Sequence, residues 1–372
     1  MAKKALITVD GAYHKIKKGF VTVDGVYKKI KKAFISIGGV WRPCWSGGEL
    51  AYYGTITSLS SARYNLAATS VGDYALFGGG LVSSSSNTNK VDAYNSSLVR
   101  TSPTALNYSR NNLAATTIGN YALFCCGENG SVVHATVEPY DTSLTRHTEL
   151  GGSYSLKNLA ATTVGNYALF GGGESSNVQT AIQSVSDSLT VGYSVTGLSV
   201  KRTNLTATTV GNYALFGGGS PTSDAVDAYD TTLTRSIPTA LSSARYSLAA
   251  TTVGNYALFG GGYNGDGYSA VVDAYNTSLT RTTPTVLSVA RRYLAATSIG
   301  DYALFGGGAS NVSPVDSNVV DVYDASLTRT VKSLSSARTY LTAVTVGNYA
   351  LFGGGYNVDG DKFATVEAFT VA

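Results

Sequence analysis

The sequence holds only three cysteines and three histidines among its 372 residues. Three cysteines cannot build a disulfide framework, and two of them, Cys125 and Cys126, are adjacent. The histidines, His14, His134 and His147, are too scattered to form a metal site with cysteine or to assemble a Ser-His-Asp triad. The sequence therefore predicts no metal, no cofactor and no catalytic residues.

Charged residues are also few, at 13% of the chain against about 25% in ordinary globular proteins. The net charge of +4 is unevenly distributed. Residues 1–46 carry ten basic residues against Asp10 and Asp24, whereas residues 47–372 carry seventeen basic and twenty-one acidic residues. Because nucleic-acid affinity rests on neutralising phosphates, we expect no nucleic-acid binding by the larger region.

Long hydrophobic runs are absent as well. No stretch approaches the roughly 18–20 apolar residues of a membrane span, and the start, Met-Ala-Lys-Lys, is followed by no apolar segment of a secretory signal. We therefore expect synthesis in the host cytoplasm without a signal peptide, and no membrane insertion.

What the sequence does contain is a repeat. The phrase Tyr-Ala-Leu-Phe-Gly-Gly-Gly, or a close copy, occurs seven times at steps of 43 to 47 residues. The copies begin at Tyr74, Tyr121, Tyr167, Tyr213, Tyr256, Tyr302 and Tyr349. A period this regular indicates one supersecondary unit repeated along the chain.

Each unit is predicted to form four short antiparallel strands. In residues 245–290, the small and β-branched run 248–253 is typical of an innermost strand, and Gly254-Asn255 is a turn. The second strand is 256–259, the alternating run 271–275 is the third, and the fourth begins near Leu279. Seven such units predict an all-β, seven-bladed β-propeller.

The unit resembles the kelch repeat, which has a glycine run after the second strand, a Val-Asp-Ala-Tyr-like third strand and an arginine at the start of the next blade. Gly260-Gly261, Tyr275 and Arg291 stand in those places. The tryptophan usual in the fourth kelch strand is absent, and Leu279 stands near it. The resemblance covers about residues 49–372 and implies a propeller fold without implying an activity.

The last blade is predicted to combine both ends of the propeller region, residues 47–372. The final repeat stops at its third strand, 365–372, while residues 51–56 precede a Leu-Ser-Ser-Ala-Arg segment that elsewhere follows fourth strands. Residues 49–60 should therefore complete the seventh blade, which removes the exposed edges of an open sheet.

Residues 1–46 form a separate basic region with a period of 14 residues. Asp-Gly or Gly-Gly between alternating β-forming residues predicts short hairpins. The Val-Asp-Gly-Val-Tyr-Lys-Lys-Ile-Lys-Lys units resemble short repeats of tail-associated proteins in phages and prophages of Gram-positive bacteria. This resemblance implies an anchor to other virion proteins, with Tyr13, Tyr27 and Trp41 as its contact residues; the alternative is a linker without a partner.

The two faces of the propeller differ in sequence. Turns between first and second strands are nearly uniform, whereas the loops between second and third strands vary. These loops are residues 81–90, 128–136, 174–181, 220–225, 263–270, 309–318 and 356–364. Because recognition usually lies in loops on a rigid scaffold, we expect ligand contact on this variable face.

Candidate ligand-binding residues lie on that face. An arginine precedes the inner strand in six repeats: Arg63, Arg110, Arg202, Arg245, Arg291 and Arg338. They could ring the channel mouth and bind a carboxylate or phosphate bidentately, or each could instead bond carbonyls and acidic groups of neighbouring strands. Tyr263, Tyr268 and Tyr356, with Tyr64, Tyr246 and Tyr293 beside the arginines, could stack on sugar rings or pack internally.

Catalytic alternatives rest on a few carboxylates. Asp266, Asp359 and Asp361 could supply a pair for glycoside hydrolysis, and Asn357–Asp361 has part of a calcium-loop pattern but reads better as a turn.

The leading expectation is a non-enzymatic receptor-binding or adhesion protein of a phage or prophage tail. Its partners would be virion proteins through residues 1–46 and a host-surface glycan or protein through the variable face, with homo-oligomerisation possible, and the mature protein would reside in the virion. A propeller glycosidase or lyase acting on surface polysaccharide, and a bacterial protein-interaction scaffold, are the alternatives.

Overall fold

The structure is a computed structural model that describes residues 48–192, 195–311, 313 and 315–371, together with the backbone of six strands between residues 6 and 45. All regular secondary structure in these residues is β-strand. None of them belongs to a helix long and apolar enough to cross a membrane. The all-β class expected from the sequence is confirmed.

The chain divides into two compact units, Met1–Ala51 with Thr370–Ala372 and Tyr52–Phe369. In the first, each copy of the 14-residue repeat forms an antiparallel hairpin, as the Asp-Gly and Gly-Gly pairs predict. The six strands are β1 (Leu6–Val9), β2 (Ala12–Lys15), β3 (Phe20–Val23), β4 (Val26–Lys29), β5 (Ala33–Ile37) and β6 (Val40–Trp45). The domain boundary between residues 46 and 47 stays a prediction.

The rest of the chain forms seven antiparallel sheets, numbered here as blades one to seven in chain order, and the predicted seven-bladed propeller is confirmed. The inner strands are β8 (Ala67–Val71), β14 (Ala114–Ile118), β17 (Ala160–Val164), β21 (Thr206–Val210), β25 (Ala249–Val253), β30 (Ala295–Ile299) and β35 (Thr342–Val346). The second strands are β9 (Tyr74–Gly78), β15 (Tyr121–Cys125), β18 (Tyr167–Gly171), β22 (Tyr213–Gly217), β26 (Tyr256–Gly260), β31 (Tyr302–Gly306) and β36 (Tyr349–Gly353).

The third strands are β12 (Val91–Asn95), β16 (Val137–Asp141), β19 (Ile182–Ser186), β23 (Val226–Tyr229), β27 (Val272–Asn276), β33 (Val319–Asp324) and β37 (Val366–Val371). The outer strands are β13 (Arg100–Thr101), β20 (Val191–Gly192), β24 (Arg235–Ser236), β28 (Arg281–Thr282), β34 (Arg329–Ser333) and, for the seventh blade, β7 (Leu50–Ile56). Four short strands, β10 (Leu81–Ser83), β11 (Ser86–Asn87), β29 (Arg291–Arg292) and β32 (Ala309–Ser310), lie in the loops.

The second blade has three regular strands where the repeat predicts four. Its outer segment makes only two isolated bridges, Val137 with Leu150 and Tyr140 with Arg146. Pro139 stands in the third strand, where other blades have a residue with an amide hydrogen. Because proline cannot donate a hydrogen bond, the ladder to the outer segment is interrupted there.

The glycine runs allow neighbouring blades to pack closely and to form hydrogen bonds with each other. A Cβ atom added to Gly78 would lie 2.6 Å from the ring of Phe124 in the next blade, although the second blade has Cys125 at the same position. Gly353 of the seventh blade meets Phe77 of the first in the same way, at 2.7 Å. The third residue of each run donates its N–H to a carbonyl of the next blade, as Gly80 does to Arg110 O at 2.8 Å. This backbone hydrogen bond repeats in all seven blades, and Gly355 of the last blade donates to Arg63 O of the first, which closes the circle.

Candidate functional site

Each inner strand is preceded by a four-residue segment whose first and last residues are nearly constant. The pattern is Arg-X-X-Leu in six blades and Leu-X-X-Leu, beginning at Leu156, in the third. The first residue is fully or almost fully buried in every blade. The two X residues vary among the blades. Each segment therefore has two variable positions between two nearly constant ones.

The six arginines lie inside the blades, where each pairs with a carboxylate of the third strand. Arg63 Nη2 lies 2.7 Å from Asp92 Oδ2 and donates to Phe77 O at 3.1 Å, and neither side chain of the pair is exposed. The equivalent pairs are Arg110–Glu138, Arg202–Asp227, Arg245–Asp273, Arg291–Asp321 and Arg338–Glu367. Burial lowers the pKa of Arg63, and the Asp92 carboxylate opposes that shift.

The position of these arginines differs from the ring at the channel mouth that the sequence allowed. Their guanidinium groups point at carboxylates and carbonyls within the protein, which is the arrangement of the structural alternative, because a buried charge is stable only when it is paired and hydrogen-bonded. A second arginine, from the outer strand, approaches the same carboxylate in five blades: Arg100, Arg146, Arg235, Arg281 and Arg329. Ligand binding by the six inner arginines stays a prediction, and the variable X positions become the better candidates.

The second X residues form a closed ring around the channel, called here the mouth ring. Its members are Asn65, Asn112, Asn158, Asn204, Ser247, Tyr293 and Tyr340. Each donates its backbone N–H to the carbonyl of the preceding member at 2.9–3.2 Å, and Asn65 donates to Tyr340. Together with the leucines that follow them, these residues line a cavity of about 220 Å³.

All seven members of the mouth ring have left-handed backbones, with φ between 51° and 55°. Asparagine tolerates this conformation better than most residues, whereas a bulky side chain is strained in it. Tyr293 and Tyr340 therefore occupy a position for which the other blades use asparagine or serine. Because the conformation is the same in all seven blades, it belongs to the repeat, and only the side chain differs.

The first X residue of each segment lies beside the mouth ring and connects it to the loop of the same blade. Each pairs through a β-bridge with the residue that follows the glycine run of its own blade. The seven bridge pairs are Tyr64–Leu81, Asn111–Glu128, Lys157–Glu174, Thr203–Ser220, Tyr246–Tyr263, Arg292–Ala309 and Thr339–Tyr356. The same backbone frame thus presents a different pair of side chains in every blade.

Aromatic side chains occupy one side of the mouth, contributed by blades five, six, seven and one. This aromatic half comprises Tyr64, Tyr263, Tyr268, Arg292, Tyr293, Tyr340 and Tyr356. Tyr293 stacks on Tyr340 with ring centroids 3.9 Å apart, and Tyr340 stacks on Tyr356 at 5.5 Å. Burial raises the pKa of Tyr340, and its hydrogen bond with Tyr293 raises it further, so the hydroxyl stays protonated.

Amides and charged groups occupy the opposite side, from blades two to four. This polar half comprises Asn112, Glu128, Lys157, Asn158, Glu174 and Asn204. The carboxylate of Glu128 accepts from Asn112 Nδ2 at 3.2 Å and from Lys157 Nζ at 2.7 Å. Glu174 accepts from Asn158 Nδ2 at 3.1 Å. The mouth therefore has an aromatic side and a hydrogen-bonding side, and the members of each that line the cavity itself belong to the mouth ring.

Among the tyrosines predicted as ligand contacts, Tyr263, Tyr268 and Tyr356 are half-buried members of the aromatic half. Their role in binding stays a prediction. Sequence reasoning missed Arg292, Tyr340 and the mouth ring as a unit. Alignment of the seven Arg-X-X-Leu segments would have shown two variable positions between constant ones.

The remaining candidates lie elsewhere. Asp266, Asp359 and Asp361 are exposed, and Asp361 N–H donates to Asn357 Oδ1 at 2.8 Å, which makes 357–361 a turn. Within the described residues, no three His, Cys, Asp or Glu side chains are grouped so that they could hold a metal ion. Tyr13, Tyr27 and Trp41 belong to β2, β4 and β6, and their side chains lie outside the described residues.

Comparison with known proteins concerns the fold. A solved structure, "Structure of YjhT", is similar with a TM-score of 0.55 and 11% sequence identity over 84% of this chain and 95% of that chain. No family model and no curated protein matches the sequence. At this identity the likeness shows the fold alone: the chain shares the propeller architecture of that structure.

Proposed function

We propose that this protein is a non-enzymatic binding protein that recognises a glycan at the mouth of its propeller channel. The observation that carries the proposal is the stack of Tyr293, Tyr340 and Tyr356, of which the first two line a cavity that asparagines line on its other side, with Glu128 and Glu174 bonded to two of them. Tyrosine rings provide apolar surface for the C–H faces of sugars, while amides and carboxylates bond their hydroxyl groups.

The biological setting that we propose is a phage or prophage tail, with the glycan or a protein that carries it on the host surface. This part of the proposal rests on the resemblance of residues 1–46 to tail-associated repeats, which would anchor the protein to the virion. We also propose that the blades are of the kelch type, since the glycine run, the third-strand tyrosine and the buried arginine stand in kelch positions. Proteomics of induced virions tests the setting, and absence from the particles would favour the bacterial scaffold.

The binding proposal is tested on a glycan array with three proteins: the wild type, the double variant Tyr293→Ala/Tyr340→Ala, and Tyr53→Ala as control. Tyr53 is a 54% exposed tyrosine on the outer strand of the seventh blade, whereas the mouth ring precedes the inner strands. We expect selective binding by the wild type and the control. The double variant should bind at least about tenfold more weakly, since stacking against an aromatic ring is worth about 1–3 kcal/mol. Equal binding by all three proteins would refute the proposed site.

The second candidate is a glycosidase, favoured by one observation: the carboxylates of Glu128 and Glu174 lie on neighbouring blades of the mouth. Glycoside hydrolysis uses two carboxylic acids that flank the scissile bond. A reducing-sugar assay on each array ligand distinguishes the candidates. Release of sugar by the wild type that Glu128→Gln or Glu174→Gln abolishes would replace the binding function with the enzymatic one.

A further inference from the structure

Arg292 differs from every other arginine whose side chain the structure describes. All the others form an ion pair with a carboxylate within 4 Å, either as the inner or as the outer arginine of a blade. Arg292 forms no such pair with the described residues. Asp316, a carboxylate of the same blade, instead accepts the backbone N–H of Val358 at 2.5 Å.

Three tyrosines surround the Arg292 guanidinium. Its Cζ lies 4.7 Å from the ring centroid of Tyr293, 4.9 Å from Tyr268 and 5.3 Å from Tyr263. The rings attract the cation through their negative π faces and carry no charge that would pair with it. The Nε atom of Arg292 is buried without a hydrogen-bond partner among the described residues. Aromatic rings, and no carboxylate of the described residues, therefore surround this guanidinium.

We infer that Arg292 binds an acidic group, a carboxylate or a phosphate, on the glycan that the aromatic half recognises. This inference rests on the proposed function and adds the chemical class of the ligand. A guanidinium presents two parallel N–H donors that match both anions, and such charge-assisted bonds are about twice as strong as neutral ones. Tyr293 contacts both the cation and the cavity, so a sugar stacked on the tyrosines would carry its acidic group to Arg292.

The negative charges of the polar half also favour binding of the anion at Arg292. Glu128 and Glu174 give that side of the mouth two negative charges, and Lys157, the cation beside them, already pairs with Glu128 at 2.7 Å. An incoming anion is repelled there and attracted at Arg292. An acidic glycan would therefore bind in one orientation, with its neutral hydroxyl groups towards the polar half.

The test uses matched probes, because the natural glycan is unidentified. Oligosaccharides of uronic acids are compared with their carboxyl-reduced forms, and phosphorylated oligosaccharides with their phosphatase-treated forms, so that the two arms distinguish carboxylate from phosphate. Binding is measured by calorimetry for the wild type, Arg292→Ala, Arg292→Lys and Lys201→Ala. Lys201, an exposed lysine that precedes Arg202 on the same face, controls for the loss of one positive charge.

We expect the wild type to bind one acidic probe roughly ten- to a hundredfold more tightly than its neutral form. Arg292→Ala should lose this preference while its affinity for the neutral form stays the same. Arg292→Lys should keep part of the preference, because the charge remains without the paired donors, and Lys201→Ala should bind as the wild type does. Unfolding curves confirm that the variants are folded.

Three results would overturn the inference. Equal affinity of the wild type for acidic and neutral probes would refute it and leave the proposed glycan function intact. Equal weakening of both forms in Arg292→Ala would show that Arg292 only supports the tyrosines. Failure of the wild type to bind any glycan on the array or in solution would refute the proposed function as well.

Discussion

The third and fifth blades have the same backbone frame but opposite interiors. In the fifth blade, Asp273 is held between Arg245 at 2.7 Å and Arg281 at 2.9 Å. The corresponding residues of the third blade are Leu156, Gln183 and Val191, so all three charges are absent together. A buried charge that loses its partner costs more than an uncharged set does. The difference therefore indicates that the buried arginine and its acid are kept or replaced together, whereas the outer arginine is also absent from the seventh blade, where Tyr52 donates to Glu367 at 2.7 Å.

The third blade also shows which hydrogen bonds do not depend on the buried charges. Gln183 Oε1 accepts the N–H of Ser153 at 2.9 Å, as Asp273 Oδ1 accepts that of Ser242 at 3.0 Å. Leu156 O accepts from a glycine run at 2.7 Å, as Arg245 O does at 2.9 Å. The backbone bonds that join the blades are the same in both cases, and the side chains inside a blade can change without disturbing them.

The largest effect should come from breaking the fifth blade in one place. Asp273→Asn leaves Arg245, whose side chain is fully buried, without its anion. We expect a loss of about 3–5 kcal/mol in the free energy of unfolding, measured by denaturant titration. The matched triple variant Arg245→Leu/Asp273→Gln/Arg281→Val copies the third blade and should lose much less. If the triple variant were the less stable of the two, the set would not behave as a unit.

The reverse substitution places a charge in the third blade. Gln183→Glu buries a carboxylate in the blade that has Leu156 and Val191 at the positions of the inner and outer arginines. We expect a loss of about 2–4 kcal/mol at pH 7 that shrinks as the pH falls, because burial raises the pKa of the new acid and protonation removes its charge. Addition of Leu156→Arg should restore part of the stability. A pH-independent loss would point to a steric cause.

A smaller effect concerns the tyrosine of the third strand. Tyr275 donates its hydroxyl to Thr239 O at 2.8 Å, whereas the third blade has Val185 at this position. Tyr275→Phe should cost about 1 kcal/mol, because the carbonyl of Thr239 is left without that donor. Thermal unfolding of this variant beside Tyr53→Phe, which changes an exposed tyrosine, measures the difference. Equal melting temperatures would show that the bond contributes nothing.

The smallest effect concerns the turn between the third and outer strands, which begins with a different residue in each of three blades. Asp141 begins the outer turn of the second blade, where the third blade has Ser186 and the fifth has Asn276. Burial raises the pKa of Asp141, but hydrogen bonds from Ser143, His147 and Thr145 outweigh it and lower the pKa from 3.8 to about 2. Since the folded pKa is depressed, the stabilisation is present above about pH 4 and is lost as the pH falls towards 2.

Asp141→Asn should therefore lower stability by about 1 kcal/mol or less at pH 7, after allowance for solvent screening. Its unfolding curve should converge with that of the wild type near pH 2. Because Asn276 builds the same turn with an amide, the variant should fold normally. A difference that persisted unchanged at pH 2 would exclude the carboxylate as its source.

Most of the architecture follows from local sequence patterns, whereas the set of side chains that meet at the mouth does not. The alternation in 271–275 and the glycines after Phe259 predict strands and turns, because these depend on neighbouring residues. The orientation of Arg245 depends on Asp273, twenty-eight residues later, and a spacing in sequence does not show whether two such groups meet. The second blade departs from its repeat at Pro139, a local signal that could have been read.

The sequence by itself determined that seven similar four-stranded units follow one another, because the period and the strand patterns depend on residues that are close together in sequence. Only the tertiary structure decided that the six arginines lie inside the blades and that the residues beside them form the mouth. Asn65 and Tyr340 lie far apart along the chain, yet the closed circle makes them hydrogen-bonded neighbours. The aromatic half and the unpaired Arg292 exist only because closure brings side chains from several blades to one cavity.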